Sequence, residues 1–217
     1  MAQRSFVNRC WYELLRRGLQ LAGVLVFRAR YEGLHNIPRH GPVLVVSNHQ
    51  SNFDPPLVGM ACSRRMNYLA RSSLFRFGPF GWLIRSVDAI PIEREGIGLG
   101  GIKEAMKRLK AGEMVVIFPE GTRTRDGQIA PFRPGFATLA VRTRAAILPA
   151  AIEGAFDAWP RSQVLPRRGN VRVRYGEPIL PEQFTGRSEE ELVAEVEARV
   201  RACHAQLQRS ASRTPRK

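Results

Sequence analysis

The residues of this chain best suited to chemistry are a histidine and an aspartate five positions apart. They are His49 and Asp54, in the segment Asn48-His49-Gln50-Ser51-Asn52-Phe53-Asp54. An aspartate bonded to one imidazole nitrogen fixes the tautomer and leaves the other nitrogen free to take a proton from a hydroxyl. That is general-base machinery, worth about 10²–10⁴-fold in rate. At this spacing the two side chains would lie on different sides of a regular helix, so they meet only across a loop or a helix start. Asp54-Pro55 predicts such a start, with Asp as N-cap and Pro at the first helical position. The bland alternative makes Asp54 a simple cap and His49 a loop residue.

Three further groups stand at the ends of expected elements. The first is Phe118-Pro119-Glu120-Gly121-Thr122-Arg123, directly after an apolar run. Glu120 could bond a polyol hydroxyl, the backbone at Gly121 could approach a ligand closely, and Arg123 could pair with a phosphate or with Glu120. The other two are Arg94, closing Ile90-Pro91-Ile92-Glu93-Arg94, and Arg133, in Pro131-Phe132-Arg133-Pro134-Gly135. Two arginines so placed could clamp a phosphate monoester, or each could be a solvated surface residue. His35, His40 and His204 sit in turns or on a terminal helix and read as structural. The three cysteines, Cys10, Cys62 and Cys203, are far apart, with no CxxC or Cys/His spacing for zinc and no disulfide framework. They fit a reducing compartment. No G-x-S-x-G elbow is present for a serine hydrolase.

The elements that must position these groups alternate. Val43–Ser47 and Met114–Phe118 are short β-branched or apolar runs, the pattern of strands buried on both faces. Further strands are expected at Met66–Ala70, Ala89–Ile92, Ile147–Ile152 and Val171–Tyr175. Helices are expected at Pro55–Cys62, Leu99–Lys110, Phe136–Arg144 and Ser188–Gln208. The last opens with a capping box, Ser188-x-x-Glu191, and carries the stripe Leu192, Val196, Val200, Leu207. The pattern predicts an α/β fold: a single mixed, mostly parallel sheet flanked by helices. His49 and Glu120 both follow strands, and ligands of open α/β sheets gather at the carboxyl ends of strands.

The chain has 217 residues, enough for one domain with a small appendage. Its net charge is +15, from 34 Lys+Arg against 19 Asp+Glu, so it seeks polyanions: nucleic acid, an anionic membrane or phosphorylated substrates. No helix-turn-helix, zinc or RNA-recognition signature supports nucleic acid. The N-terminal stretch is apolar with interleaved arginines, and only Gly18–Phe27 is nearly uncharged, too short to span a bilayer. It reads as a basic amphipathic helix in the membrane interface, against the alternative of an ordinary core-packing helix. Leu74–Ile84, aromatic and flanked by Arg71, Arg76 and Arg85, is a second membrane contact or else core. The expected organisation is 1–32, membrane-associating helix; 33–208, catalytic domain; 209–217, disordered basic tail.

The set Asn48-His49-x4-Asp54, Ile90-x-Ile92-Glu93-Arg94, Phe118-Pro119-Glu120-Gly121-Thr122-Arg123 and Ile147-Leu148-Pro149-Ala150-Ala151-Ile152-Glu153-Gly154 resembles the four ordered blocks of the glycerolipid acyltransferase family. That family includes the 1-acyl-sn-glycerol-3-phosphate acyltransferases. The blocks span Val43 to Gly154, and Tyr175-Gly176-Glu177-Pro178-Ile179 resembles the family's last strand and turn. The resemblance implies that His49 is the base, that Asp54 orients it, and that Arg94, Glu120, Gly121, Arg123 and Arg133 bind the acceptor. It implies acyl transfer from an acyl-CoA or acyl-carrier protein to lysophosphatidic acid. No metal, cofactor or covalent enzyme intermediate is implied, and the expected place is the cytoplasmic face of a membrane, monotopic or peripheral. Another lysolipid or glycerol-3-phosphate is the alternative acceptor, and a catalytically dead membrane-surface protein the rival reading. Glu93 stands where Asp is usual and Arg133-Pro134 where Lys is common. The N-terminal region is similar to the family's membrane-dipping helices in character only.

Overall fold

The two apolar runs singled out above lie side by side at the centre of a sheet. In this computed structural model, residues 5–87, 89–92 and 99–212 are described. Strand β2 (Val43–Ser47) has all five residues buried, because strands flank both its edges and helices cover both its faces. It runs parallel to β5 (Met114–Ile117), with Val43 opposite Met114, and parallel to β6 (Ala146–Glu153), with Ser47 opposite Ala150. Beyond β5 lie β3 (Met66–Arg71) and β4 (Ile90–Ile92), both parallel. Beyond β6 lies β7 (Arg172–Tyr175), antiparallel to it, and then β1 (Arg30–Glu32), parallel to β7. Among the described residues the order is β1-β7-β6-β2-β5-β3-β4, the mixed, mostly parallel sheet that the alternation of elements predicts.

The strict two-residue period of a strand sends alternate side chains to opposite layers. Leu44 and Val46 join Ile147, Ala105, Leu109, Phe136, Leu139, Val196 and Val200 in one core. That layer is built by α4 (Leu99–Lys110), α5 (Gly135–Thr143) and α8 (Glu189–Ser212). Val43 and Val45 join Phe27, Leu57 and Met60 in the other, beneath α1 (Phe6–Phe27) and α2 (Asp54–Met60). The short helices α3 (Gly78–Ser86), α6 (Ala155–Ala158) and α7 (Pro181–Phe184) occupy connections. The expected capping box of α8 is present: the Glu191 amide donates to Ser188 Oγ at 3.1 Å and the Ser188 amide to Glu191 at 3.4 Å.

Three expectations are corrected. The N-terminal unit is not one helix over 1–32. It ends at Phe27, where Arg28 takes a left-handed conformation (φ 43°) and its amide and that of Ala29 cap the last turn on Val24 and Gly23 carbonyls. Residues 30–32 then become β1, which stitches this segment into the sheet. At the other end, residues 209–212 are not a disordered tail but the last turn of α8; residues 213–217 lie outside the described residues. Asp54 is not the N-cap of α2: Phe53 holds that place and Asp54 is the first helical residue.

From β2 the chain crosses to β3 and β4 on one side, returns to β5 beside β2, and then crosses to β6 on the other side. The strand order therefore reverses next to the carboxyl end of β2, the position at which doubly wound sheets open a ligand crevice.

Candidate active site

His49 lies two residues past the end of β2 and its ring is held from several sides. Its Nδ1 is 2.8 Å from Asp54 Oδ2. The same carboxylate oxygen accepts the amides of Gln50 at 2.5 Å and Ser51 at 2.6 Å. One acidic oxygen thus folds the loop 49–54 around itself and fixes the imidazole. Asp54 is fully buried, whereas the His49 side chain keeps 19 % of its surface open. The ring stacks on Phe118 at 4.2 Å between centroids. With Nδ1 turned to the carboxylate, Nε2 is the nitrogen left for an incoming hydroxyl.

The backbone of His49 is fixed as firmly as its ring. Glu120 Oε1 accepts the His49 amide at 2.7 Å, and the His49 carbonyl accepts the Thr124 amide at 2.8 Å. Glu120 Oε2 accepts the Ala130 amide at 3.0 Å. Glu120 is buried and spends both oxygens on main-chain donors, so its place in the fold is to lock the loop after β5 onto the base. Burial pushes its carboxyl above the ordinary value, against the downward pull of the Ala130 and His49 amides.

Gly121 and Arg133 are brought together: a Cβ on Gly121, whose φ is +71°, would lie 2.9 Å from the Arg133 guanidinium carbon. The Arg133 amide donates to the Pro119 carbonyl at 3.1 Å, which returns the chain to the site. Arg123 does not pair with Glu120. Its Nη1 is buried with no hydrogen-bond partner among the described residues. Burial first, then the charges of Arg161 and Arg71, lower its pKa. The Arg161 and Arg71 guanidinium groups thus lie within electrostatic reach of Arg123, with the Asp54 carboxylate partly opposing them. Arg94 lies outside the described residues.

Four contributors had no role in the site assigned from the sequence. Arg71 is the last residue of β3, and that position at a strand's carboxyl end was the signal available. Arg161 sits in the connection after α6 and carries no pattern. Asn48 and Gln50 flank the base as buried amides. Asn48 donates to the Ile152 carbonyl at 3.0 Å and accepts the Ile152 amide at 2.8 Å, while Gln50 Oε1 accepts the amides of Ala155 and Phe156. They tie β2 and its loop to the end of β6. His204, read as structural, contacts Glu153 of β6 from α8. The described residues hold no cluster of three or more His, Cys, Asp or Glu that could take a metal.

The model of the acyltransferase family matches residues 28–153, which include both the His49–Asp54 pair and the Glu120 loop. The chain belongs to the acyltransferase family. Among its relatives, the 1-acyl-sn-glycerol-3-phosphate acyltransferase of Bacillus subtilis is 31 % identical over 165 residues, 75 % of this chain and 80 % of that protein. A chloroplast 1-acyl-sn-glycerol-3-phosphate acyltransferase of Arabidopsis thaliana is 31 % identical over 157 residues, 70 % of this chain but 44 % of that protein. The chain thus spans less than half the length of that plant relative. The crystal structure of the 1-acyl-sn-glycerophosphate (LPA) acyltransferase PlsC from Thermotoga maritima superposes with a TM-score of 0.81 at 27 % identity, covering 100 % of this chain and 86 % of that one. For this acyltransferase the expected fold is therefore found in a solved relative.

Proposed function

We propose that this acyltransferase moves a fatty acyl group from an acyl-CoA or acyl-carrier protein to the free hydroxyl of 1-acyl-sn-glycerol-3-phosphate, giving phosphatidic acid. The observation that carries the reading is the 2.8 Å contact between His49 Nδ1 and Asp54 Oδ2, with His49 held at both backbone ends. His49 Nε2 takes the hydroxyl proton as the oxygen attacks the thioester carbonyl carbon. The tetrahedral intermediate collapses, the carbon–sulfur bond breaks, and the thiolate leaves with the proton held on Nε2. The transfer is direct, with no acyl-enzyme and no metal. Asp54 stabilises the imidazolium between the two proton transfers.

The acceptor phosphate is assigned to Arg123, whose Nη1 lacks a partner, with Arg71 and Arg161 adding charge and Arg133 beside Gly121 completing the rim. The names borne by the relatives support this acceptor. An amphiphilic lysolipid is favoured over glycerol-3-phosphate by the exposed apolar residues Leu14, Leu21, Val24 and Leu25 of α1, Phe77 just before α3, and Phe80 and Trp82 of α3. Trp11 joins the two helices, with its ring 5.5 Å from Trp82 and its Nε1 donating to Ser86 Oγ. No helix of the described residues is long and apolar enough to cross a membrane. We assign α1 to the interface of the cytoplasmic leaflet, where its apolar stripe meets acyl chains and its arginines meet headgroups.

The deciding experiment is acyl transfer from a thioester to lysophosphatidic acid in mixed micelles, following free thiol and phosphatidic acid. Wild type should turn over and His49→Ala should lose at least about a hundredfold. An active His49→Ala protein would remove the general-base reading. An inactive wild type would remove lysophosphatidic acid as acceptor.

A further inference from the structure

Val164 and Leu165 are the most exposed large apolar side chains among the described residues, at 88 % and 76 % of their surface. They are adjacent in sequence, and they form the tip of a connection that is tightly braced. At its base the Arg167 amide donates to the Ala158 carbonyl at 2.8 Å, and the Gln163 amide donates to the Pro160 carbonyl at 3.1 Å. Trp159 Nε1 donates to the Gln163 carbonyl at 3.1 Å. Gly169 and Val171 donate to the carbonyls of Val26 and Phe27 in the last turn of α1. A ring ladder, Phe27 to Phe53 to Trp159, with centroid separations of 5.0 and 6.3 Å, runs from α1 past the His49–Asp54 loop to the foot of this connection. A loop fixed this well does not leave two aliphatic side chains in water through slackness.

Its place in the sheet is equally specific. The connection joins the end of β6 to the start of the antiparallel β7, so it stands at the same end of the sheet as His49. It borders the exposed Val24 and Leu25 of α1 through the bonds to Val26 and Phe27. Exposed Arg161, Arg167 and Arg168 flank the tip in sequence, and exposed Arg28 follows the last turn of α1. An exposed apolar point flanked by cations is complementary to an anionic lipid bilayer: the aliphatic pair enters the acyl boundary while the guanidinium groups meet headgroup phosphates.

We propose that residues 160–168 form a membrane-inserting loop, with Val164 and Leu165 as its tip, that docks the active-site end of the sheet on an anionic bilayer beside α1. This deepens the lysolipid reading above and rests on it. The loop sets the site's height over the bilayer. It also gives Arg161 two neighbours, the headgroup layer and the Arg123 site, so an acceptor phosphate passes from one to the other without leaving the interface.

The test reads insertion separately from catalysis. In a Cys10→Ser background, Leu165→Cys is labelled with an environment-sensitive fluorophore and mixed with phosphatidylcholine–phosphatidylglycerol vesicles. A blue shift with quenching by nitroxide lipids is expected, and unchanged emission from protein that cosediments with the vesicles overturns the proposal. The double variant Val164→Asp, Leu165→Asp should melt as wild type does, bind these vesicles at least about tenfold more weakly, and lose vesicle-borne lysophosphatidic acid turnover in step. Its turnover of a short-chain, monomeric lysophosphatidic acid should not change. Wild-type vesicle binding by the double variant overturns the proposal. So does a loss confined to acyl-carrier-protein donors, which would assign the loop to the carrier. Wild-type inactivity on both lysolipid forms would instead sink the catalytic reading, and the fluorophore would still decide the loop.

Discussion

One carboxylate oxygen carries the geometry of the base. Asp54 Oδ2 accepts from His49 Nδ1 and from two backbone amides, so Asp54→Asn can keep all three contacts through its amide oxygen while losing the charge. Charge-assisted bonds are about twice as strong as neutral ones. The variant should therefore fold, and circular dichroism should match wild type, yet kcat should fall by about 10²–10⁴-fold because the imidazolium loses its counterion. A fall in folding without a fall in the kcat of the surviving folded protein would make Asp54 merely a loop organiser. Arg123 makes a second case. Burial, Arg161 and Arg71 lower its pKa, so the folded state disfavours its charged form. For a basic group depressed on folding, the cost is present wherever the group is charged, including neutral pH, and is relieved only as pH rises through the lowered value. Arg123→Gln should thus leave the empty protein as stable as wild type or more so in thermal melts at pH 7. Wild type should gain Tm with glycerol-3-phosphate, and the variant should lose that gain. A lowered Tm together with an undiminished glycerol-3-phosphate response would move the phosphate elsewhere.

At the scale of elements, what could be read from the chain depended on how much apolar pattern each segment carries. The strands β2 and β5 are legible because burial on both faces demands a run of branched apolar residues, and α8 because its stripe and its Ser188–Glu191 box agree. Strand β1 is not: Arg30-Tyr31-Glu32 has no apolar pattern and exists through pairing with β7. The end of α1 is hidden for a related reason, since its left-handed closing residue is Arg28, where glycine would have announced the stop. The site follows the same rule. The base, its aspartate and the Glu120 loop lie within a few residues of patterned strands. Asn48 and Gln50 act by tertiary bonds to β6 and α6, which one sequence does not encode locally. Gly121 links the two levels, because its φ of +71° strains any larger residue and a methyl there fits only if the Arg133 guanidinium, 2.9 Å away, moves. Gly121→Ala should introduce about 1–3 kcal/mol of backbone strain and displace Arg133. KM for the acceptor should rise several-fold, with a smaller change in kcat because the His49 ring is held by Asp54, which lies outside this loop. A change in kcat alone would place Gly121 in the chemical step.

At the scale of the whole molecule, charge and apolar surface act together and can be separated. The net charge of +15 attracts the protein to any anionic bilayer, and this attraction weakens as the Debye length falls from about 10 Å at 0.1 M salt to about 3 Å at 1 M. Burial of Leu21, Val24 and Leu25 in the acyl boundary is insensitive to that screening, because it depends on area removed from water. Binding to phosphatidylglycerol-containing vesicles should therefore fall with added salt and level off above zero, the plateau measuring the apolar contribution. Leu21→Asp with Leu25→Asp removes exposed side chains from α1 without touching the face that packs Gly23 against Met60. That variant should bind at low salt through its arginines and lose the plateau at 1 M, as read by cosedimentation. Binding that salt abolishes in wild type would leave α1 only electrostatic work. A plateau that survives in the α1 variant would assign the apolar contact to other surfaces, with the Val164–Leu165 tip and the Phe77–Trp82 segment next in line.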